Sequence, residues 1–150
     1  MEQMKHDSST IAWNNLGEEW FELAQKGEAR MHFIMPYRLQ YMGNVEGLKI
    51  LDLGCGEGGY SRELAKRNAK VVAVDCSEKA IKYSMELAQE AGLDIEHYVR
   101  NSNDLFGIKE ETFDIVLCSM MLMDCEDFEG TLREIVRVLK PNGKFYLRAA

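Results

Sequence analysis

The stretch Lys49-Ile50-Leu51-Asp52-Leu53-Gly54-Cys55-Gly56-Glu57-Gly58-Gly59-Tyr60 constrains this chain more than any other. Ile50, Leu51 and Leu53 form a short apolar run of the kind that fills a buried strand. Gly54, Gly56, Gly58 and Gly59 follow at once. Tyr60, Leu64 and Ala65 then share one helical face among the helix-favouring Glu63, Lys66 and Arg67. Strand, glycine turn and helix in that order open a doubly wound α/β domain. With no Cβ, the backbone reaches φ > 0 and approaches a ligand closely, while the helix start presents free N–H groups to it.

A second apolar run, Val71-Val72-Ala73-Val74, closes on Asp75, about twenty residues after the turn, where an acid accepts from ribose hydroxyls. Gly54, Gly56 and Gly59 also satisfy G-x-G-x-x-G, which by spacing alone fits an NAD site and an S-adenosylmethionine site equally. Asp52 separates the two. A carboxylate two residues before the first glycine suits a ligand carrying an ammonium and a sulfonium, and suits a pyrophosphate badly. The run Asp52-Leu53-Gly54-Cys55-Gly56-Glu57-Gly58 resembles the first motif of class I S-adenosylmethionine-dependent methyltransferases.

At 150 residues the chain reads as one domain, residues 1–150, long enough to bury a core. Its 46% hydrophobic and 29% charged residues are those of an ordinary globular protein. A net charge of −7 argues against a nucleic-acid partner, no run is long and apolar enough for a bilayer, and residues 1–7 lack the apolar core of a signal peptide. The cytoplasm is the expected compartment. Cys55, Cys76, Cys118 and Cys125 form no C-x-x-C pair and no zinc spacing, so neither a metal nor a disulfide is expected. The first three sit at the carboxyl ends of strands, where a small residue lets the backbone pass a ligand.

Residues up to about Thr10 are polar and read as frayed. Trp13, Leu16, Trp20 and Leu23 then recur at helical spacing up to Gly27, and a further helix runs from Pro36 to Gly43. Residues 1–45 thus form a helical lead-in, expected to cover the cofactor cleft. Lys26-Gly27-Glu28-Ala29-Arg30 looks like the lead-in of small-molecule methyltransferases. That resemblance gives Arg30 the methionine carboxylate of the cofactor, a task its planar fork suits. Met85 joins Ile81 and Ala88 on the apolar face of the helix Glu78–Ala91, capped by Ser77, and strands are predicted at 95–99 and 113–119.

Arg100-Asn101-Ser102-Asn103-Asp104-Leu105 stands where the family has its adenine loop, with Asn101 in place of the usual aspartate. Phe113-Asp114-Ile115-Val116 and the run Leu132 to Gly143 match two further family motifs, with Asn142 for a glycine. The second of these is read as a helix over 131–139, with Leu132, Ile135, Val136 and Leu139 inward. A turn at 140–143 and a strand at 144–148 follow.

The resemblance therefore implies an α/β, Rossmann-like, doubly wound and mostly parallel sheet, cut short after its fifth strand. It implies a methyltransferase that uses S-adenosylmethionine, leaves S-adenosylhomocysteine and acts on a small molecule. Asp52, Gly54, Cys55 and Gly56 would hold the methionine part, Asp75 and Cys76 the ribose side, and Asn101 and Ser102 the adenine. Cys118 and Ser119 would edge the methyl-transfer site. Met123 stands where many relatives carry a histidine, so no catalytic base is assigned; His6 and His97 read as surface residues. Two rivals remain at this level: a cofactor-binding module without catalysis, and an NAD-binding oxidoreductase domain. An uncovered fifth strand would also pair with another strand, so either self-association there or a longer chain whose remainder supplies the missing strands is expected.

Overall fold

The computed structural model describes residues 3–27 and 30–148. The readings made for Met1 and Glu2, for Glu28 and Ala29 in the lead-in, and for Ala149 and Ala150 lie outside those residues. Strand β1 (Lys49–Leu53) is followed by the glycine turn and α4 (Gly59–Lys66), then β2 (Lys70–Asp75) and α5 (Glu78–Glu90). Strands β3 (Ile95–Val99), β4 (Phe113–Ser119) and β5 (Leu139–Arg148) complete the sheet, with α6 (Phe128–Val138) between the last two. The order is β3-β2-β1-β4-β5 and every pairing is parallel.

Period-two alternation explains the layers. Leu51, Leu53, Val72, Val74 and Val116 face α6 through Ile135 and Val138. Ile50, Val71, Ile115 and Leu117 face the other way, against Tyr60 and Leu64 of α4 and against Met35 and Leu39. Both faces are therefore apolar, as a parallel sheet between two helical layers demands. Each such side chain, fully buried, contributes about 1.5–3 kcal/mol. The chain winds outward from β1 through β2 and β3, then crosses to β4. The carboxyl ends of β1, β2 and β4 thus bound a crevice where the strand order reverses.

The lead-in departs from its sequence reading. Among the described residues the segment leading into Thr10 is not frayed: Asp7 caps α1 (Ser8–Asn14) by accepting from the Thr10 amide, and Thr10 is fully buried. The single helix expected from Trp13 to Leu23 is two, because Gly17 starts a separate α2 (Glu18–Lys26). Its buried residue is Phe21, stacked on Tyr83 of α5, whereas Trp20 and Leu23 are exposed. A π-helical turn over Arg30–Ile34 runs into α3 (Met35–Met42), which ends at Gly43 with φ 73°.

Smaller corrections follow from tertiary packing. Met85 and Val136, read as inward, are exposed. His97 is half-buried instead of on the surface, its ring bonded to the Ser84 hydroxyl and the Ile95 carbonyl. The expected turn at 140–143 lies within β5 as a register break, with Asn142 at φ 65°. Asp114 and Glu134, both from family motifs, are structural. Asp114 accepts from the Lys49 amide at the head of β1, and Glu134 accepts from the Leu105 amide, which fixes the loop after β3.

Candidate functional site

A cleft of about 310 Å³ opens at the carboxyl ends of β1, β2 and β4, roofed by residues of α1 and α2. Its floor is the glycine turn. Gly54, Gly56 and Gly58 have φ of 76°, 57° and 86°, the left-handed region that side chains resist. The turn is pinned to β2, because the amides of Gly54 and Cys55 both donate to the Val74 carbonyl. A Cβ on Gly54 would lie 2.6 Å from Met121, whereas one on Gly56 would meet nothing, so the Gly56 backbone faces open cleft.

Two carboxylates stand on this floor. Asp75 accepts from the Gly56 amide on one oxygen and from the Ser77 amide on the other, each at 2.9 Å. Burial pushes its carboxyl up, an effect those amides partly offset. Asp52 is 2% exposed and accepts from the Ser61 hydroxyl at 2.7 Å. Burial pushes its carboxyl up to about 6, against the pull of that hydrogen bond and of Arg30. An acid of this kind, ionised near neutrality at a cost, favours a cationic neighbour.

Beside them lies an arginine cluster that sequence reading captured only in part. Glu57, itself 2% exposed, pairs with Arg30 at 2.5 Å and Arg62 at 2.6 Å and accepts from the Gly59 amide. The Arg30 fork, expected to hold a ligand carboxylate, is therefore engaged: its other nitrogen donates to the Ala24 carbonyl. Arg38 was not singled out in the sequence. Only the packing of α3 brings its guanidinium over the Tyr60 ring, which Arg30 also approaches, and to within 3.3 Å of the Ser119 hydroxyl. Among the described residues no carboxylate pairs with Arg38.

At the adenine end Asn101 is 7% exposed and tied to the lead-in. Its oxygen accepts from the Thr10 hydroxyl at 2.7 Å and its amide donates to the Lys5 carbonyl. The expectation that Asn101 presents a free amide oxygen is corrected, since α1 takes it. Ser102 lines the cleft and shares a hydrogen bond with the Thr131 hydroxyl. Cys55 and Cys76 line it too, and burial raises both thiols, Cys76 to about 12, so neither is a thiolate near neutrality. Cys118 is corrected: it is wholly buried in the β4 core, and Cys125 lines the cleft in its stead. Ser119, Met120 and Met121 form the wall beyond, with Met120 at φ 63°, whereas Met123, His32 and Tyr37 are exposed away from it.

Residues 51–147 match the family described as "Methyltransferase domain". The chain belongs to that family. It shares 30% identity over 145 residues with a ubiquinone biosynthesis O-methyltransferase of Xanthomonas euvesicatoria, covering 95% of this chain and 60% of that protein. A protein of the same name from Idiomarina loihiensis is 32% identical over 151 residues, covering 97% and 61%. The chain thus spans about 60% of the length of the curated relatives it matches. A SAM-dependent methyltransferase from Aquifex aeolicus superposes with a TM-score of 0.75 at 24% identity, over 85% of this chain and 69% of that one. The PH0226 protein of Pyrococcus horikoshii, 35% identical, superposes at 0.71 over 81% and 53%. The methyltransferase domain so identified shares its fold with that Aquifex aeolicus protein.

Proposed function

We propose that this domain binds S-adenosylmethionine and transfers its methyl group to a small-molecule acceptor, leaving S-adenosylhomocysteine. The observation that carries the reading is the floor of the cleft: three left-handed glycines between two carboxylates, the buried Asp52 and the half-buried Asp75. These residues fit that cofactor and fit a dinucleotide poorly. Asp52 offers a buried negative charge to an ammonium and a sulfonium, which at a pyrophosphate would be repulsive. Asp75 keeps acceptor capacity for vicinal hydroxyls after binding its two amides.

When bound, the cofactor supplies a methyl group already activated by its sulfonium. The protein's part is alignment. Asp52, Gly54, Cys55 and Gly56 hold the methionine end, Asp75 and Cys76 the ribose side, and Ser102 with the Asn101–Thr10 pair walls the adenine. Arg30 acts through Glu57, holding the turn from above. Ser119 and the methionine wall face the acceptor and exclude water, and orientation of this kind contributes several kcal/mol, of order 7–11 in favourable cases. The acceptor atom we favour is a hydroxyl oxygen, since the relatives above are named O-methyltransferases. No side chain is assigned as base.

The 1–150 segment acts as one ligand-binding unit, with residues 1–45 as its roof. Cytoplasmic placement is our reading of four free cysteines. No helix among the described residues is long and apolar enough to cross a membrane. Strand β5 lies at the sheet edge with Leu147 exposed, and we expect it to take a further strand, from this chain or a second copy. Sedimentation velocity across a concentration series tests the second source: a strictly monomeric chain excludes it. Calorimetric titration with S-adenosylmethionine, S-adenosylhomocysteine and NAD tests the reading itself. Binding of the first two and not NAD is expected; NAD alone would overturn it. Turnover with hydroxylated acceptors then separates catalysis from binding.

A further inference from the structure

Tyr60 is the second residue of α4, immediately before Ser61, whose hydroxyl donates to Asp52. It is 5% exposed, lines the cleft, and packs its ring among Met35, Leu39 and Leu64. For that packing a phenyl ring would serve. Yet Tyr60 carries a hydroxyl that is buried and meets no hydrogen-bonding group of the described residues, the one side-chain polar atom there in that condition. A buried polar group without a partner lowers stability, so such a hydroxyl on a residue that lines a binding cleft points to a ligand.

The surroundings specify the ligand's charge. Guanidiniums of Arg30 and Arg38 lie 5.8 and 5.7 Å from the ring centroid. Arg30 and Arg62 share the single carboxylate of Glu57, and Arg38 has none among the described residues. A chain with net charge −7 thus concentrates positive charge around this phenol. The group that belongs there is an anion able to accept from O–H and N–H donors together.

Resting on the cofactor reading above, we propose that Tyr60 is a positioning residue for the carboxylate at the methionine end of the bound cofactor, its hydroxyl donating to that group. The amino-acid end of the ligand carries an ammonium and a carboxylate side by side. Asp52, one residue of α4 away through Ser61, meets the first charge, and the Tyr60 hydroxyl meets the second. Together they set the direction in which the sulfonium points along the cleft.

The test compares the wild-type protein with Tyr60→Phe by calorimetry, using S-adenosylhomocysteine and methylthioadenosine, which lacks the amino-acid end. The expected result is a loss of about tenfold or more for S-adenosylhomocysteine, the size of a hydrogen bond to a charged group. Methylthioadenosine affinity stays within twofold, and the urea midpoint of the ligand-free variant is unchanged or higher. Equal S-adenosylhomocysteine affinity in both proteins overturns the proposal while the cofactor reading stands. Equal losses for both ligands also overturn it, by showing that the hydroxyl only shapes the fold. A wild-type protein that binds neither ligand removes the cofactor reading and the proposal together.

Discussion

Replacing Asp52 by Asn should make the ligand-free protein more stable near neutral pH. Asp52 is 2% exposed, and burial holds its carboxyl at about 6, against an ordinary value of 3.8. Between those values the folded protein keeps a proton that the unfolded chain has released. Stability therefore falls as pH rises through this window, and above about 6 the full cost of the buried charge is present. A shift of roughly two units corresponds to about 3 kcal/mol. Asn keeps the shape and an oxygen for the Ser61 hydroxyl, and removes the titration. Urea unfolding of both proteins at pH 4 and pH 7.5 reads the effect. The variant should gain on the wild type by about 2–3 kcal/mol between those two conditions. The same substitution should weaken binding of cationic S-adenosylmethionine at pH 7.5, and wild-type affinity should itself fall as pH drops below about 6. Identical pH dependence of stability in the two proteins would refute the reasoning, because the buried charge would then carry no cost.

Asp75→Asn should raise the S-adenosylhomocysteine dissociation constant at least tenfold in calorimetry, since charge-assisted bonds of about 1.5–3 kcal/mol are lost; an unchanged constant would take the ribose away from Asp75. In thiol alkylation followed by mass spectrometry, Cys118 should stay unlabelled in the native protein with or without ligand. Labelling of Cys76 and Cys125 should slow when S-adenosylhomocysteine binds, and equal rates in both states would place the cleft elsewhere. Thr10→Val removes the hydroxyl that satisfies Asn101, so hydrogen exchange in residues 5–14 should accelerate by about 5- to 150-fold, from 1–3 kcal/mol; unchanged exchange would show that α1 is held by something else.

The succession of strands along the chain and the glycine floor of the cleft were legible from the chain alone. Short apolar runs ended by Gly, Asp or Ser mark β1, β2 and β4, and the alternating Ile95–Val99 marks the partly buried β3. Gly54, Gly56 and Asp75 were legible because each is a local requirement: φ > 0, a close backbone approach, a carboxylate at a strand end. What the tertiary structure decided is everything that depends on a distant partner. Arg30 looked like a free fork until Glu57 met it, and Asn101 like a free amide until Thr10 and Lys5 did. Cys118 and Cys125 exchanged places because β4 carries Cys118 into the core, while the loop after it turns Cys125 back to the cleft. Arg38 and Tyr60 lie 22 positions apart, and no spacing rule joins them. They meet because α3 and α4 pack on one face of the sheet, where side-chain volume and burial set the contacts and periodicity has no say.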